Sequence, residues 1–221
     1  SSGDTAGPHD RVVGYGAFTI GAQDGDVDAE RAAQRQDRQR RLLQLARRTI
    51  EEALRTGRQS TPSPMALDED LRGPGAAFVT LRSAATGELR GCVGSLEAQR
   101  PLGVDVAAHA LEAAFHDTRF MPLAEPEVSE LAIDISVLGP LQELPATGYE
   151  DLVARLPVGL GLYVTAGGYR ATYLPSVWSE LHAPEVFVAS LWRKAGMTPG
   201  AWPRGIAVYT YDVEEFGEGG S

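Results

Sequence analysis

The sequence predicts an α+β fold: a mainly antiparallel sheet with helices, in two subdomains built from one repeated order of elements. Three observations carry that prediction. Two pairs of short β-prone runs are joined across Gly-containing turns, 77–82 to 88–95 and 159–165 to 169–173, which marks hairpins rather than parallel crossovers. Each hairpin is followed by helical periodicity, at 101–116 and at 175–181 with 184–195. Each half then closes on one more strand, 131–137 and 206–211, so both read strand, strand, helix, strand.

Taken in order, residues 12–20 hold Val12, Val13, Tyr15, Phe18 and Ile20 and read as a strand. Residues 21–28 form an acidic linker containing Gly21 and Gly25. A helix is expected over 29–56, with Leu42, Leu45, Ala46, Thr49, Ile50 and Ala53 recurring at i+3 and i+4. Its first half, 31–41, is almost entirely Ala, Gln, Arg and Asp and has no apolar face, so it reads as a solvated extension. Gly57 ends it. After a Pro-containing loop and the first hairpin, Pro101 opens the next helix, a position that tolerates its missing N–H. Leu131, Ile133, Ile135 and Val137 alternate strictly with Ala132, Asp134 and Ser136, as in a half-buried strand. Residues 149–156 make a short helix, and Gly196 closes the last one.

Composition bounds the function. With 221 residues and 43% hydrophobic content the chain can bury a substantial core. A net charge of −10 makes nucleic acid an unlikely partner. The single cysteine excludes an intramolecular disulfide and a cysteine-cluster metal site. No apolar run approaches the ~18 residues that span a bilayer, and residues 1–10 lack the pattern of a signal peptide. The expectation is a cytoplasmic protein.

The chemistry centres on that cysteine. On a regular strand Arg90, Cys92 and Gly94 share one face, where Arg90 would favour the thiolate. Gly91 and Gly94 weaken a strand unless something approaches the backbone closely or a bulge is needed, and by giving up side chains around the thiol they leave room for a ligand. The bland alternative is a packed cysteine acting as a small hydrophobe. On the following helix Asp105, His109, Glu112 and His116 fall on one face. They suit a metal in type, but such a row reads first as a solvated face laced by i, i+4 pairs, and no metal site is expected. His116 is a candidate base for Cys92 if the fold brings them together, and Asp117 and Arg119 are placed to pair and fix the turn. Tyr163, Tyr169, Tyr173, Trp178 and Trp192 read as core, although the corner from Tyr173 to Trp178 is also suited to lining a pocket.

The run Leu89-Arg90-Gly91-Cys92-Val93-Gly94, with Gln99-Arg100-Pro101-Leu102, Ala113 to Phe120, Tyr173 to Trp178 and Arg193-Lys194-Ala195-Gly196, resembles the AMMECR-one domain family. Val93 stands where that family commonly has Ile. The resemblance implies a compact α+β domain over 29–216 and a flexible tail at 217–221. It supplies no reaction and no cofactor. It implies a context, the AmmeMemoRadiSam system, in which the partners would be a Memo-like protein and a radical SAM protein. Residues 1–28 resemble the last strand of a Memo domain followed by the linker. Without a Cys-x3-Cys-x2-Cys cluster, any iron–sulfur chemistry would belong to the partner. Two functions follow as expectations. One is an accessory module binding a small molecule or partner at a cleft formed by Arg90, Gly91, Gly94, Asp117, Arg119 and Tyr173. The other is an enzyme using Cys92, with His116, to modify a small molecule, protein or RNA.

Overall fold

A computed structural model describes residues 23–219, and the chain falls into two compact units, 1–37 and 38–221. The strand expected at 12–20, and the Memo-like resemblance it carries, lie outside the described residues. In the first unit the described part is the opening of helix α1 (Gln23–Thr56), and residues 27–36 are exposed, as the absence of an apolar face requires. The helix begins earlier than the expected 29, so part of the segment read as a linker is helical. Within the helix Asp28 and Arg31 form an exposed i, i+3 pair at 3.8 Å.

The second unit holds two α/β layers. The first is a sheet of β1 (Pro74–Ser83), β2 (Leu89–Gly94), β4 (Leu131–Leu138) and β9 (Val213–Gly217) in the order β2-β1-β4-β9, antiparallel throughout, with the short β3 (Arg100–Pro101) pairing the start of β1. One face carries Ala77, Val79, Leu81, Ile133 and Ile135, the apolar phase of the alternation. Leu42, Ala46 and Ile50 of α1, and Val106, Ala110 and Ala113 of α2 (Leu102–Phe115), pack on it. Each such fully buried Leu or Ile contributes about 1.5–3 kcal/mol against exposure.

Helix α2 corrects one expectation. Asp105 and His109 are 1% and 3% exposed, whereas Glu112 and His116 face solvent, so the polar row is not a solvated face. The Asp105 carboxylate accepts from the Ala77 N–H (2.9 Å), Arg100 Nε (2.9 Å) and the Ser95 hydroxyl (3.3 Å). His109 Nδ1 lies 3.2 Å from it without hydrogen-bond alignment. A buried carboxylate is retained when its lone pairs are met in this way. Periodicity cannot distinguish that hub from a wet stripe.

The second layer is a sheet of β5 (Gln142–Glu143), β6 (Gly161–Ala166), β7 (Tyr169–Tyr173) and β8 (Ala207–Tyr211), ordered β5-β8-β6-β7. Helices α3 (Tyr149–Arg155) and α4 (Pro184–Lys194) cover it over a core of Leu152, Leu162, Val164, Phe187, Leu191 and Trp192. The expected helix at 175–181 is a 3-10 segment, Pro175–Ser179, in which Trp178 stacks on Phe187 at 4.0 Å.

The repeat is topological. Orders β2-β1-β4 and β7-β6-β8 are the same motif: a hairpin, then a strand returning beside its first arm. The fourth strands are exchanged. β5 follows β4 in the chain but pairs with β8, and β9 follows β8 but pairs with β4. The two crossings meet where the Gly139 N–H donates to the Asp212 carbonyl at 2.9 Å. Ala76, Leu138, Tyr163 and Tyr211 form a small core joining the halves.

Candidate functional site

The site begins with the register of the first hairpin. Thr80 lies opposite Cys92 and Leu81 opposite Gly91, but Arg82 lies opposite Leu89. Arg90 is therefore the extra residue of a β-bulge, and the bulge breaks the alternation assumed for a regular strand. Leu89, not Arg90, lines a cavity with Cys92. Arg90 instead grips Glu127 through two bonds, 2.8 and 3.1 Å, so its charge is committed there rather than to the thiol. Glu127 also accepts the Ala124 N–H at 2.8 Å, and its carboxyl is held below the usual range chiefly by Arg90.

Neither glycine leaves room for a side chain of its own. A Cβ on Gly91 would stand 2.2 Å from the Ala113 carbonyl oxygen, and one on Gly94 would stand 2.3 Å from the Phe78 ring. Gly91 lets α2 press onto β2, and Gly94 lets Phe78 lie across the strand. At Gly91 that space is filled by protein, whereas Gly94 and Phe78 line a separate cavity of about 330 Å³ with Ser95, Asp105, Tyr163 and Arg170.

Cys92 sits on an edge strand, where peptide groups stand open. Its N–H donates to Asp117 Oδ2 at 2.9 Å, and its carbonyl accepts from Arg119 Nη2 at 3.2 Å. Asp117 and Arg119 are joined by bonds of 2.6 and 2.9 Å, so the pair stands in for a neighbouring strand. Arg119 holds the Asp117 carboxyl far below the usual carboxylate range against the cost of burial, and the Cys92 N–H adds to the effect. The spacing that suggested a fixed turn thus clamps the cysteine peptide.

The thiol points into a cavity of about 410 Å³ on the sheet face opposite α1 and α2. Thr80, whose hydroxyl lies 3.4 Å from Cys92 Sγ, forms its floor with Arg82, Asp134 and Ser136. Glu215, Phe216 and Gly217 of β9 line one end, and Arg119 and the segment Leu174 to Ser176 complete the wall. Arg82 and Asp134 pair at 3.3 Å. Lys194, at the end of α4, donates to the Thr172 carbonyl at 3.0 Å and lies 4.8 Å above the Tyr173 ring, beside that wall.

Of the residues expected at the site, Cys92 and Arg119 line the cavity, Asp117 braces it from behind, and Gly91 and Gly94 serve packing. Tyr173 belongs to the second core, edge-on to Phe187 and bonded to Ser190 at 2.9 Å, though it adjoins Leu174 of the wall. His116 is not brought to the thiol: its ring bonds Gln59, and it does not line the cavity. Thr80, Arg82, Asp134 and Ser136, the polar phase of two recognised strands, line the cavity although nothing local in the sequence marks them as site residues. Glu215 lies on a strand that was not foreseen. Among the described residues no three His, Cys, Asp or Glu side chains converge as a metal site, and no helix is long and apolar enough to cross a membrane.

The AMMECR1 family profile matches residues 43–216. A protein of Caldivirga maquilingensis is 36% identical over 185 residues, covering 81% of this chain and 84% of its own. Protein PF1979 of Pyrococcus furiosus is 36% identical over 187 residues, covering 80% and 86%. The crystal structure of the uncharacterised protein PH0010 from Pyrococcus horikoshii has the same fold, with a TM-score of 0.71 and 33% identity over 80% of this chain and 89% of that one. The matched segment contains both halves and every cavity residue except Gly217, and on this ground the chain belongs to the AMMECR1 family.

Proposed function

We propose that this AMMECR1 domain is an accessory binding module whose ligand site is the Cys92 cavity, acting in a system with a Memo-like protein and a radical SAM protein. The family resemblance supports the system and its partners. One observation favours binding over catalysis: Cys92 is clamped at both peptide groups and faces the cavity, yet its only side-chain hydrogen-bond partner among the described residues is the Thr80 hydroxyl. A cysteine nucleophile needs a base or a committed cation beside the sulfur. Here Arg90 is bound to Glu127 and His116 to Gln59. The alternative, a cysteine-dependent enzyme, draws on the same accessible thiol.

Complementation in a host that depends on the three-protein system separates the two. Cys92→Ser keeps a small polar group on the floor and retains function in the binding account, whereas Leu89→Glu, which puts a charge in the cavity, abolishes it. Loss of function in Cys92→Ser, with the protein folded, supports the enzyme.

A further inference from the structure

The second cavity, of about 330 Å³, shares no lining residue with the Cys92 cavity and lies on the seam between the two halves. Phe78, Leu96, Arg100 and Asp105 of the first half line it with Tyr163 and Arg170 of the second. Phe78 and Leu96 pack against the small core that joins the halves, which gives the cavity an apolar wall. Tyr163 and Arg170 stand on one face of the second sheet, because Thr165 lies two residues beyond Tyr163 and directly opposite Arg170. The polar groups are unevenly matched. Asp105 is wrapped by the Ala77 N–H, the Ser95 hydroxyl and Arg100. Arg100 gives it only Nε, at 2.9 Å, so this buried carboxylate fixes the guanidinium and leaves both Nη groups without a partner among the described residues. Arg170 makes no hydrogen bond or ion pair among those residues. Tyr163 is 9% exposed, and its hydroxyl has no partner there either. The one unpaired side-chain polar atom sealed from solvent among the described residues is His109 Nδ1, so the Tyr163 hydroxyl is open, and the opening that Tyr163 lines is this cavity. On the acceptor side Glu97 is exposed and already takes Gln99 Nε2 at 2.8 Å.

We infer that this second cavity binds a small phosphate monoester, with the phosphate on the Nη groups of Arg100, the Arg170 guanidinium and the Tyr163 hydroxyl, and the substituent on Phe78 and Leu96. Three donor groups without protein acceptors match the three terminal oxygens of a phosphate monoester, and guanidinium groups pair with such oxygens through charge-assisted bonds. A carboxylate offers two oxygens and leaves one donor group idle. The volume lies at the lower end for ligand sites, which restricts the substituent to a small one. The inference does not depend on the Cys92 cavity being a ligand site.

Isothermal titration of the full chain with phenyl phosphate, inorganic phosphate and benzoate tests it, at physiological salt and about pH 8, above the second phosphate pKa of about 6. Phenyl phosphate is expected to bind about tenfold tighter than benzoate, the effect of one further hydrogen bond to a charged group. Inorganic phosphate is expected to bind more weakly than phenyl phosphate, because it leaves Phe78 and Leu96 uncovered. Arg170→Gln weakens phenyl phosphate about tenfold, by the same reasoning, and Arg170→Lys restores part of the loss. Tyr163→Phe removes only a hydroxyl with no partner in the described protein, so it weakens binding several-fold while leaving the denaturant midpoint unchanged. That split separates a ligand contact from a structural role. Absence of phenyl phosphate binding at millimolar concentration, benzoate binding as tightly as phenyl phosphate, or an unchanged affinity in Arg170→Gln overturns the inference, and each leaves the reading of the Cys92 cavity untouched.

Discussion

The Cys92 peptide is where three separated stretches of chain meet: β2, the α2 backbone through Gly91, and the Asp117–Arg119 pair beyond α2. Asp117 is nearly buried, whereas Arg119 is 55% exposed, so much of their attraction is screened and the buried acceptor role matters more. Asp117→Asn is expected to cost about 1–2 kcal/mol, the scale of hydrogen bonds to a charged group with the exposed part discounted. The acid side carries a clearer signature. Because the folded carboxyl titrates below its unfolded value of about 3.9, its stabilisation is complete above that value and is lost as pH falls toward the folded pKa. Urea midpoints between pH 5 and 2.5 should decline less steeply in Asp117→Asn than in the parent; parallel declines would contradict the assignment. The pairing of Asp117 with Arg119 was readable from their two-residue separation. Its purpose was not, because the peptide it clamps lies 25 positions earlier in the chain.

At the scale of elements, hairpins and helices were legible because turn glycines and 3.6-residue periodicity are local signals. Gly91 and Gly94 allowed for a bulge in β2, but its position at Arg90 was not legible, since that exists only as a mismatch of register between β1 and β2. The bulge moves Arg90 off the face of Cys92 and brings Leu89 onto it. The packing of α2 on β2 makes Gly91→Ala a severe substitution: the new methyl meets a carbonyl rather than a yielding side chain. A loss of about 2–3 kcal/mol is expected, at the upper end for overpacking, measured by denaturant midpoint. Asp105 gives a second test. On a solvated face its replacement by alanine would shift stability by no more than about 0.5 kcal/mol. As a buried hub for Ala77, Ser95 and Arg100 it should cost about 3 kcal/mol, because the Ala77 N–H is left without a partner.

Across the whole molecule, the repeated order of elements was visible in the sequence but the exchange of fourth strands was not. β5 is two residues long, and only Asp212 separates β8 from β9, so composition gives no sign that the chain changes sheets there. The exchange makes the carboxyl end part of the first layer: β9 pairs with β4, Glu214 binds Arg38 and Glu218 binds Arg47 of α1. A chain ending at Asp212 should lose cooperative unfolding, because it lacks β9 and the Arg38 and Arg47 pairs, and a denaturant titration followed by circular dichroism checks it. The cavity itself depends on that exchange, because its wall draws on the second half and its far end on β9. The central claim is that this assembly presents the Cys92 thiol to solvent in the native state, and the rate of Cys92 carbamidomethylation by neutral iodoacetamide tests it most directly. The account predicts native-state labelling within about tenfold of the unfolded chain and insensitive to low urea. Labelling slowed by a factor of about a thousand or more, and accelerating with urea in step with global unfolding, would show that the thiol is reached only through the unfolded state and would contradict it.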